Sequence, residues 1–267
     1  MSRDRRTLEI SLYLAITFGI TWSIAVVVLG FPDWFVAHFG ELGPTSPFFY
    51  AAVWAPNVAA ITLTATRGGW LAIRELLSRL VRWRVLPWVW LAAIGFYPAL
   101  MLIVQVIGLA FGRPLATADA WLHAAIGVFS LPALLLGPLG EELGWRGYLL
   151  PRVLERMRPA PAALVVGTIW MVWHIPAFLA SGLPQSSMVF PVFVLAGIAL
   201  SVFVTWLFVN ARQSILIAGI IPHAIANAIG NATGPMTWIN AAVLVAGALL
   251  LVAVLGPRLG APGNTQT

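Results

Sequence analysis

Residues 189–209 read VFPVFVLAGIALSVFVTWLFV, a run of 21 residues without a charged side chain. At 1.5 Å of rise per residue, a helix of about 20 residues crosses the roughly 30 Å hydrocarbon core of a bilayer. Apolar stretches of similar length recur from one end of the chain to the other. The sequence therefore predicts a polytopic membrane protein and excludes an ordinary soluble domain.

The composition supports the same interpretation. Of the 267 residues, 60% are hydrophobic and 9% are charged, whereas soluble domains are about 45 to 50% apolar and about 25% charged. We predict an all-α fold, a polytopic membrane helix bundle of about eight transmembrane helices. The predicted spans lie near 8–30, 47–66, 88–111, 131–151, 160–180, 189–209, 213–230 and 238–256.

Two further segments do not fit a simple up-and-down bundle. Residues 70–84 place apolar side chains on one helical face and charged ones opposite, which predicts one cytoplasmic amphipathic helix lying in the membrane interface. Residues 120–130 are apolar but too short to span alone, and Pro132 and Pro138 interrupt the run that follows. We expect a re-entrant or broken half-helix leading into the fourth span.

The chain reads as one transmembrane domain over residues 1–259, with its chemical motifs in the core segment 130–230. Residues 260–267 form a short polar tail that we expect to be disordered. There is no cysteine, which excludes disulfides, thiolate metal sites and a cysteine nucleophile.

All fifteen basic residues are arginines, and the net charge is +6. They gather at every second predicted helix end, the pattern left by retention of positive charge on the cytoplasmic side. We interpret the charge as topology and not as a nucleic-acid site. The predicted partner is the lipid bilayer, with both termini cytoplasmic, and the compact arginine-only loops suit a bacterial inner (plasma) membrane.

The motif GEELGWRG, residues 140–147, places ionisable groups inside the fourth span. Such groups cost roughly 2.5 to 3.5 kcal/mol each at the bilayer centre and usually mark function. Glu142 and Arg146 are spaced i, i+4 and are predicted to pair. Glu141, about 16 Å from the edge at Arg152, has no partner at helical spacing. It is therefore our candidate general base.

Two more motifs reach a similar depth. The sequence WMVWH ends at His174, about 18 Å into the fifth span, and HAIAN begins at His223, about 16 Å into the seventh. Trp170 lies one helical turn from His174, where its ring would form one side of the site. Asn227 lies on the same helical face as His223. Together with Glu141 these residues supply a base, an imidazole to orient water or protonate a leaving amine, and donors for an oxyanion.

These motifs resemble those of the CPBP family, the CAAX proteases and bacteriocin-processing enzymes also called Abi proteins, which include the type II CAAX prenyl endopeptidases. The match consists of Glu141-Glu142-x-x-x-Arg146, an aromatic four residues before His174, and His223-x-x-x-Asn227. Order and spacing agree over roughly residues 130–230. The family usually has phenylalanine at the position of Trp170, a departure that affects the shape of the pocket.

The resemblance implies an eight-helix intramembrane endopeptidase acting on membrane-associated proteins or peptides. It implies that Glu141 activates water together with His174, and that His223 and Asn227 stabilise the oxyanion. Glu142 and Arg146 would hold the glutamate helix in place. We expect no cofactor.

A zinc-dependent metalloendopeptidase stays open as an alternative, because His174, His223 and Glu141 could form a three-ligand site. The chain lacks the His-Glu-x-x-His motif of zinc proteases, and we therefore favour the metal-free mechanism.

Two other classes remain. Buried ionisable groups also serve proton relays in transporters, but the inverted repeats common in transporters are not visible in this chain. A non-catalytic immunity or scaffold protein is the third class. For an active enzyme we expect the site to open to the cytoplasmic half or laterally to lipid, because the outer loops after Ala180 and Gly230 carry no charge.

Overall fold

The structure is a computed structural model that describes residues 3–261, with the side chains of residues 6–261 apart from Asn231. Its regular elements are all helical, as predicted. The α-helices are α1 (Arg3–Gly30), α2 (Pro32–Phe39), α3 (Pro47–Ser78), α4 (Pro87–Ala110), α5 (Ala118–Gly127), α6 (Leu131–Leu135), α7 (Pro138–Glu142), α8 (Leu150–Leu154), α9 (Pro159–Trp173), α10 (Ile175–Leu179), α11 (Phe190–Asn210), α12 (Ile221–Thr233) and α13 (Trp238–Leu255). Two π-helical segments, Leu143–Leu149 and Leu216–Ile220, and two 3₁₀ segments, Arg79–Val81 and Pro184–Ser187, complete the set.

The described part of the chain contains six to seven helices that are long and apolar enough to cross a membrane, compared with about eight predicted spans. Among the described residues, six helices are long and apolar enough to cross: Arg6–Gly30, Pro47–Val81, Pro87–Ala110, Pro159–Leu179, Phe190–Asn210 and Trp238–Leu255. A bent pair of helices brings the number to seven. The span expected at 213–230 is an apolar helix, Leu216–Gly230, which at 1.5 Å per residue is only about 22 Å long. The count of eight is therefore not confirmed.

The bent pair consists of Ala118–Gly127 and Leu131–Leu154, which meet at 63°. It agrees with the broken half-helix expected before the fourth span. Pro132 lies at the start of the second arm, where its missing N–H costs no helical hydrogen bond. The bend brings the second arm, which carries both glutamates, into the bundle.

The predicted amphipathic helix follows a kink in α3. Gly69 has φ +59° and ψ −154°, a conformation that residues with a Cβ rarely adopt. Beyond it Trp70 is 70% exposed and Leu71 is 76% exposed, whereas Leu76 is buried. An amphipathic segment is therefore present, and its position in the membrane interface stays a prediction.

The C-terminal turn after α13 is part of the fold. The N–H of Ala160 donates to the carbonyl of Pro257, and Asn210 Nδ2 donates to the carbonyl of Leu259, whose side chain is fully buried. The tail predicted from residue 260 thus begins inside an ordered turn, and residues 262–267 lie outside the described part of the chain.

Helix α3 fixes the segment that carries the glutamates. Asn57 Nδ2 donates to the carbonyl of Leu139 at 2.6 Å, and the N–H of Gly144 donates to Asn57 Oδ1 at 3.0 Å. Trp54 Nε1 also donates to the carbonyl of Leu135. A Cβ at Gly144 would lie 2.5 Å from the backbone of Pro56. The two segments are therefore in direct backbone contact, which only glycine permits.

We expect Gly144→Ala to destabilise the protein by about 1 to 3 kcal/mol, because the added methyl forces α3 away and strains the Asn57 hydrogen bonds. Thermal unfolding in detergent micelles measures the effect. Gly95→Ala is the matched control, since a Cβ there meets nothing within 4 Å. Equal unfolding temperatures for the two variants would show that this backbone contact does not exist.

Candidate active site

Both π-helical segments lie next to the predicted site residues. Leu143–Leu149 directly follows Glu142, and Leu216–Ile220 lies just before His223. Each segment is followed within two residues by a proline, Pro151 or Pro222. A proline lacks the N–H that would bond four residues back, and its ring clashes with that carbonyl. These prolines account for the wider turns, which are frequent at functional sites.

Glu142 contacts two of the other predicted site residues, Arg146 and His223. Its Oε1 accepts a hydrogen bond from Arg146 Nη1 at 3.0 Å, so the predicted i, i+4 pair forms. The same oxygen lies 2.8 Å from His223 Nδ1. Because a carboxylate only accepts, Nδ1 carries the proton in this contact. Glu142 thus orients His223 from a different helix, which the helical spacing alone did not reveal.

Glu141 is buried and has a hydrogen-bond partner on another helix. Its Oε2 accepts a hydrogen bond from Trp170 Nε1 at 2.7 Å. The Trp170 ring also lies 4.8 Å from Arg146 Cζ and makes edge contacts with His174 and His223, each with centroids 5.4 Å apart. Trp170 is therefore a hydrogen-bond donor at the centre of the cluster as well as a wall of the site.

His174 lies where α9 ends. Its Nδ1 is 2.8 Å from the carbonyl oxygen of Trp170, and since a carbonyl only accepts, Nδ1 is the donor. The rings of Trp173 and Phe193 pack against the imidazole, with centroids 4.8 and 5.2 Å away. These contacts fix the ring orientation and leave Nε2 of the neutral imidazole as an acceptor.

Three polar groups surround a small space beside Gly137. A methyl group on Gly137 would lie 3.1 Å from Asn227 Nδ2, 3.4 Å from His223 Nε2 and 3.6 Å from Glu141 Oε1. Asn227 is exposed although its neighbours Ala226 and Ala228 are buried, whereas His223 and Glu141 are themselves buried. Sequence reasoning missed Gly137, although the Gly-Pro pair just ahead of the two glutamates is a signal for it.

Two cavities meet at this cluster, each of about 650 Å³. The first is mainly apolar and runs between α1 and the start of α3, with lining residues such as Ile24 and Phe49. The second contains Trp170, His223 and Asn227. Glu141 and His174 line both cavities, so all four predicted catalytic residues border the same connected region.

The first cavity lies toward the ends of α1 and α3 that carry no arginine. It is lined by the C-terminal half of α1, residues 21–28, and by the N-terminal end of α3, residues 48–53. These ends lie away from the arginine-rich segments that were assigned to the cytoplasm. The expected opening of the site, to the cytoplasmic half or laterally to lipid, stays a prediction.

The zinc alternative requires His174, His223 and Glu141 to converge on one point. Over residues 6–261 with described side chains, no three His, Asp or Glu residues are arranged to hold a metal ion. The described residues therefore do not form the predicted zinc site.

Comparison with known proteins agrees with the motifs. The chain is 25% identical over 235 residues to CAAX prenyl protease 2 of Methanococcus maripaludis, an alignment that covers 81% of this chain and 82% of the relative. The matched family model spans residues 121–229, which contain all seven predicted site residues. The predicted resemblance is confirmed: over residues 121–229 this chain matches the family described as type II CAAX prenyl endopeptidase, Rce1-like.

Proposed function

We propose that this protein is an intramembrane endopeptidase that hydrolyses peptide bonds of membrane-associated proteins or peptides. The similarity to a CAAX prenyl protease supports protease activity over the transporter and scaffold classes. The observation that carries the proposal is the arrangement around Gly137. Glu141, His223 and Asn227 present polar atoms to one small space there, and His174 borders the same two cavities as Glu141.

Glu141 and His174 are the proposed water-activating pair. Both offer an acceptor to the cavities, the carboxylate Oε1 and the imidazole Nε2, so a water between them is held through its two hydrogens. Its lone pair is then free to add to a peptide carbonyl. Glu141 takes the proton as the new carbon–oxygen bond forms.

Asn227 and His223 are the proposed oxyanion donors. Asn227 Nδ2 donates directly, and His223 donates from Nε2 when both ring nitrogens carry protons. The proton held by Glu141 then passes to the leaving nitrogen as the carbon–nitrogen bond breaks. The products are one new carboxylic acid and one new amine, which together contain all atoms and protons of the peptide bond and the water.

The apolar lining of the first cavity fits a substrate that reaches the site from the lipid phase. Its walls between α1 and α3 are aliphatic and aromatic side chains, which make no hydrogen bonds to a polar chain. We infer a membrane-anchored or hydrophobic protein segment as the substrate. The cytoplasmic location of both termini and a bacterial inner membrane remain part of this proposal.

Trp170→Phe is expected to lower kcat about tenfold with little change in KM, because Glu141 loses a hydrogen bond to a charged acceptor while the ring contacts remain. Steady-state kinetics on a cleaved peptide measure both constants. Trp90→Phe is the matched control, since its indole donates to the carbonyl of Trp83 outside the site. An unchanged kcat for Trp170→Phe would show that the indole does not position Glu141.

The function itself is tested with a quenched peptide library, in prenylated and unprenylated forms, and purified protein in detergent. Wild type is compared with Glu141→Ala and His174→Ala, each with and without a strong chelator. His123→Ala is the control, because His123 is exposed and bonds only to the carbonyl of Asp119. Cleavage lost in the two site variants and unaffected by chelator supports the proposal. Chelator-sensitive cleavage favours zinc, and no cleavage by folded wild type refutes protease activity.

A further inference from the structure

Four residues line both cavities: Leu136, Glu141, His174 and Gln185. Glu141 and His174 have chemical roles in the proposed reaction, and Leu136 offers only an apolar surface. Gln185 is the remaining polar side chain at the boundary between the cavities, and neither the motifs nor the proposed mechanism uses it.

The side-chain amide of Gln185 has an unused acceptor. Its Oε1 is buried, and none of the described protein groups lies within hydrogen-bonding distance of it. Burying an amide oxygen without a partner costs free energy. A polar group kept at this cost beside the site indicates a partner that arrives with the substrate.

The local backbone does not depend on this side chain. Gln185 lies in the 3₁₀ segment Pro184–Ser187, between α10 and α11. The turn is closed by main-chain bonds, from the N–H of Ser186 to the carbonyl of Leu183 and from the N–H of Met188 to the carbonyl of Gln185. Replacing the amide should therefore leave the turn intact, which makes Gln185 suitable for substitution.

We propose that Gln185 is a substrate-binding residue whose side-chain amide pairs with a main-chain peptide group of the segment that passes from one cavity to the other beside Glu141. An amide carries both an acceptor oxygen and donor N–H groups, so either end complements a peptide N–H or C=O. A bond of this kind holds the main chain in register with the catalytic residues. This inference rests on the proposed function.

Gln185→Leu and Gln185→Met preserve the bulk of the side chain and remove the amide. We expect each to raise KM about 3- to 10-fold while kcat stays within about twofold, the effect of losing one neutral hydrogen bond to the bound substrate. Ser187→Ala is the matched control on the same turn, because its exposed hydroxyl bonds only to Pro184. It should leave both constants unchanged.

A second experiment identifies the peptide group of the substrate that pairs with Gln185. Its first part uses the wild-type protein alone. Each amide of a cleaved peptide is replaced in turn by an ester, which lacks the N–H and is a weaker acceptor. With wild type, one ester position should raise KM by a similar factor, and with Gln185→Leu that position should have no further effect.

The outcomes separate the two proposals. KM within twofold of wild type for both Gln185 variants, or no ester position with an effect on wild type, overturns the role of Gln185 alone. Absence of cleavage by folded wild type overturns the proposed function and this inference with it. Size-exclusion profiles and unfolding temperatures verify that the variants are folded.

Discussion

Glu141→Gln is expected to lower kcat by about 10³-fold or more while the fold stays intact, because the amide cannot take a proton from water. The side chains have nearly the same shape, and the glutamine oxygen still accepts the hydrogen bond from Trp170 Nε1 that the carboxylate accepts. Buried Glu141 makes no ion pair among the described residues, so no buried cation loses its counter-charge.

The measurement is kcat and KM on a cleaved peptide, together with the unfolding temperature in micelles. Glu41→Gln is the control, since Glu41 is exposed and lies outside the two cavities that meet at the site. A kcat for Glu141→Gln within tenfold of wild type would move the general base to another residue.

For the neighbouring glutamate we expect Glu142→Gln to affect the stability of the fold as well as cleavage. Glu142→Gln removes the charge that faces Arg146, which is 1% exposed. An uncompensated buried charge costs about 3 to 5 kcal/mol of folding stability. We expect a large fall in the unfolding temperature as well as lost cleavage, because His223 also loses its charged partner.

The double variant Glu142→Leu/Arg146→Leu separates the two effects. Replacing both members of a buried ion pair by apolar residues is often neutral or stabilising, so most of the stability should return. Cleavage should not return, since no carboxylate faces His223 Nδ1. If Glu142→Gln unfolds at the wild-type temperature, the ion pair does not support the fold.

Much of the fold followed from the sequence because it depends on local patterns. Long apolar runs such as 189–209 became membrane-length helices, and the charged side of residues 70–84 marked the amphipathic segment after Gly69. The pairing of Glu142 with Arg146 was predictable because one helix fixes the separation of residues four apart. Depth along each helix likewise placed His174 and His223 near Glu141.

The remaining features depend on contacts between helices, which no local pattern encodes. The hydrogen bond from Trp170 to Glu141 and the contact of Glu142 with His223 each join separate helices. The space beside Gly137 exists only when the segment from Gly137 to Glu141 is packed against α12. The count of eight spans is not confirmed, and a run of apolar residues did not reveal that the helix Leu216–Gly230 is short.

The π-helical turns are an intermediate case. Pro151 and Pro222 cannot donate helical hydrogen bonds to the carbonyls of Gly147 and Ala218. A proline can, however, also cause a kink or a helix end. Packing decides among these outcomes. A Cβ added at Gly147 would lie 2.8 Å from Ile215 Cδ1, and one at Gly219 would lie 2.5 Å from Glu142 Oε2, so both widened turns fit tightly against their neighbours.

Cleavage in H₂¹⁸O, followed by mass spectrometry of the products, tests the central claim most directly. Purified wild type should incorporate a solvent oxygen into the new C-terminal carboxylate of the N-terminal product, with normal oxygen elsewhere in the peptide. Glu141→Gln and His174→Ala should form no labelled product above background. Labelled product formed at the wild-type rate by either variant, or no hydrolysis by folded wild type, would contradict the account.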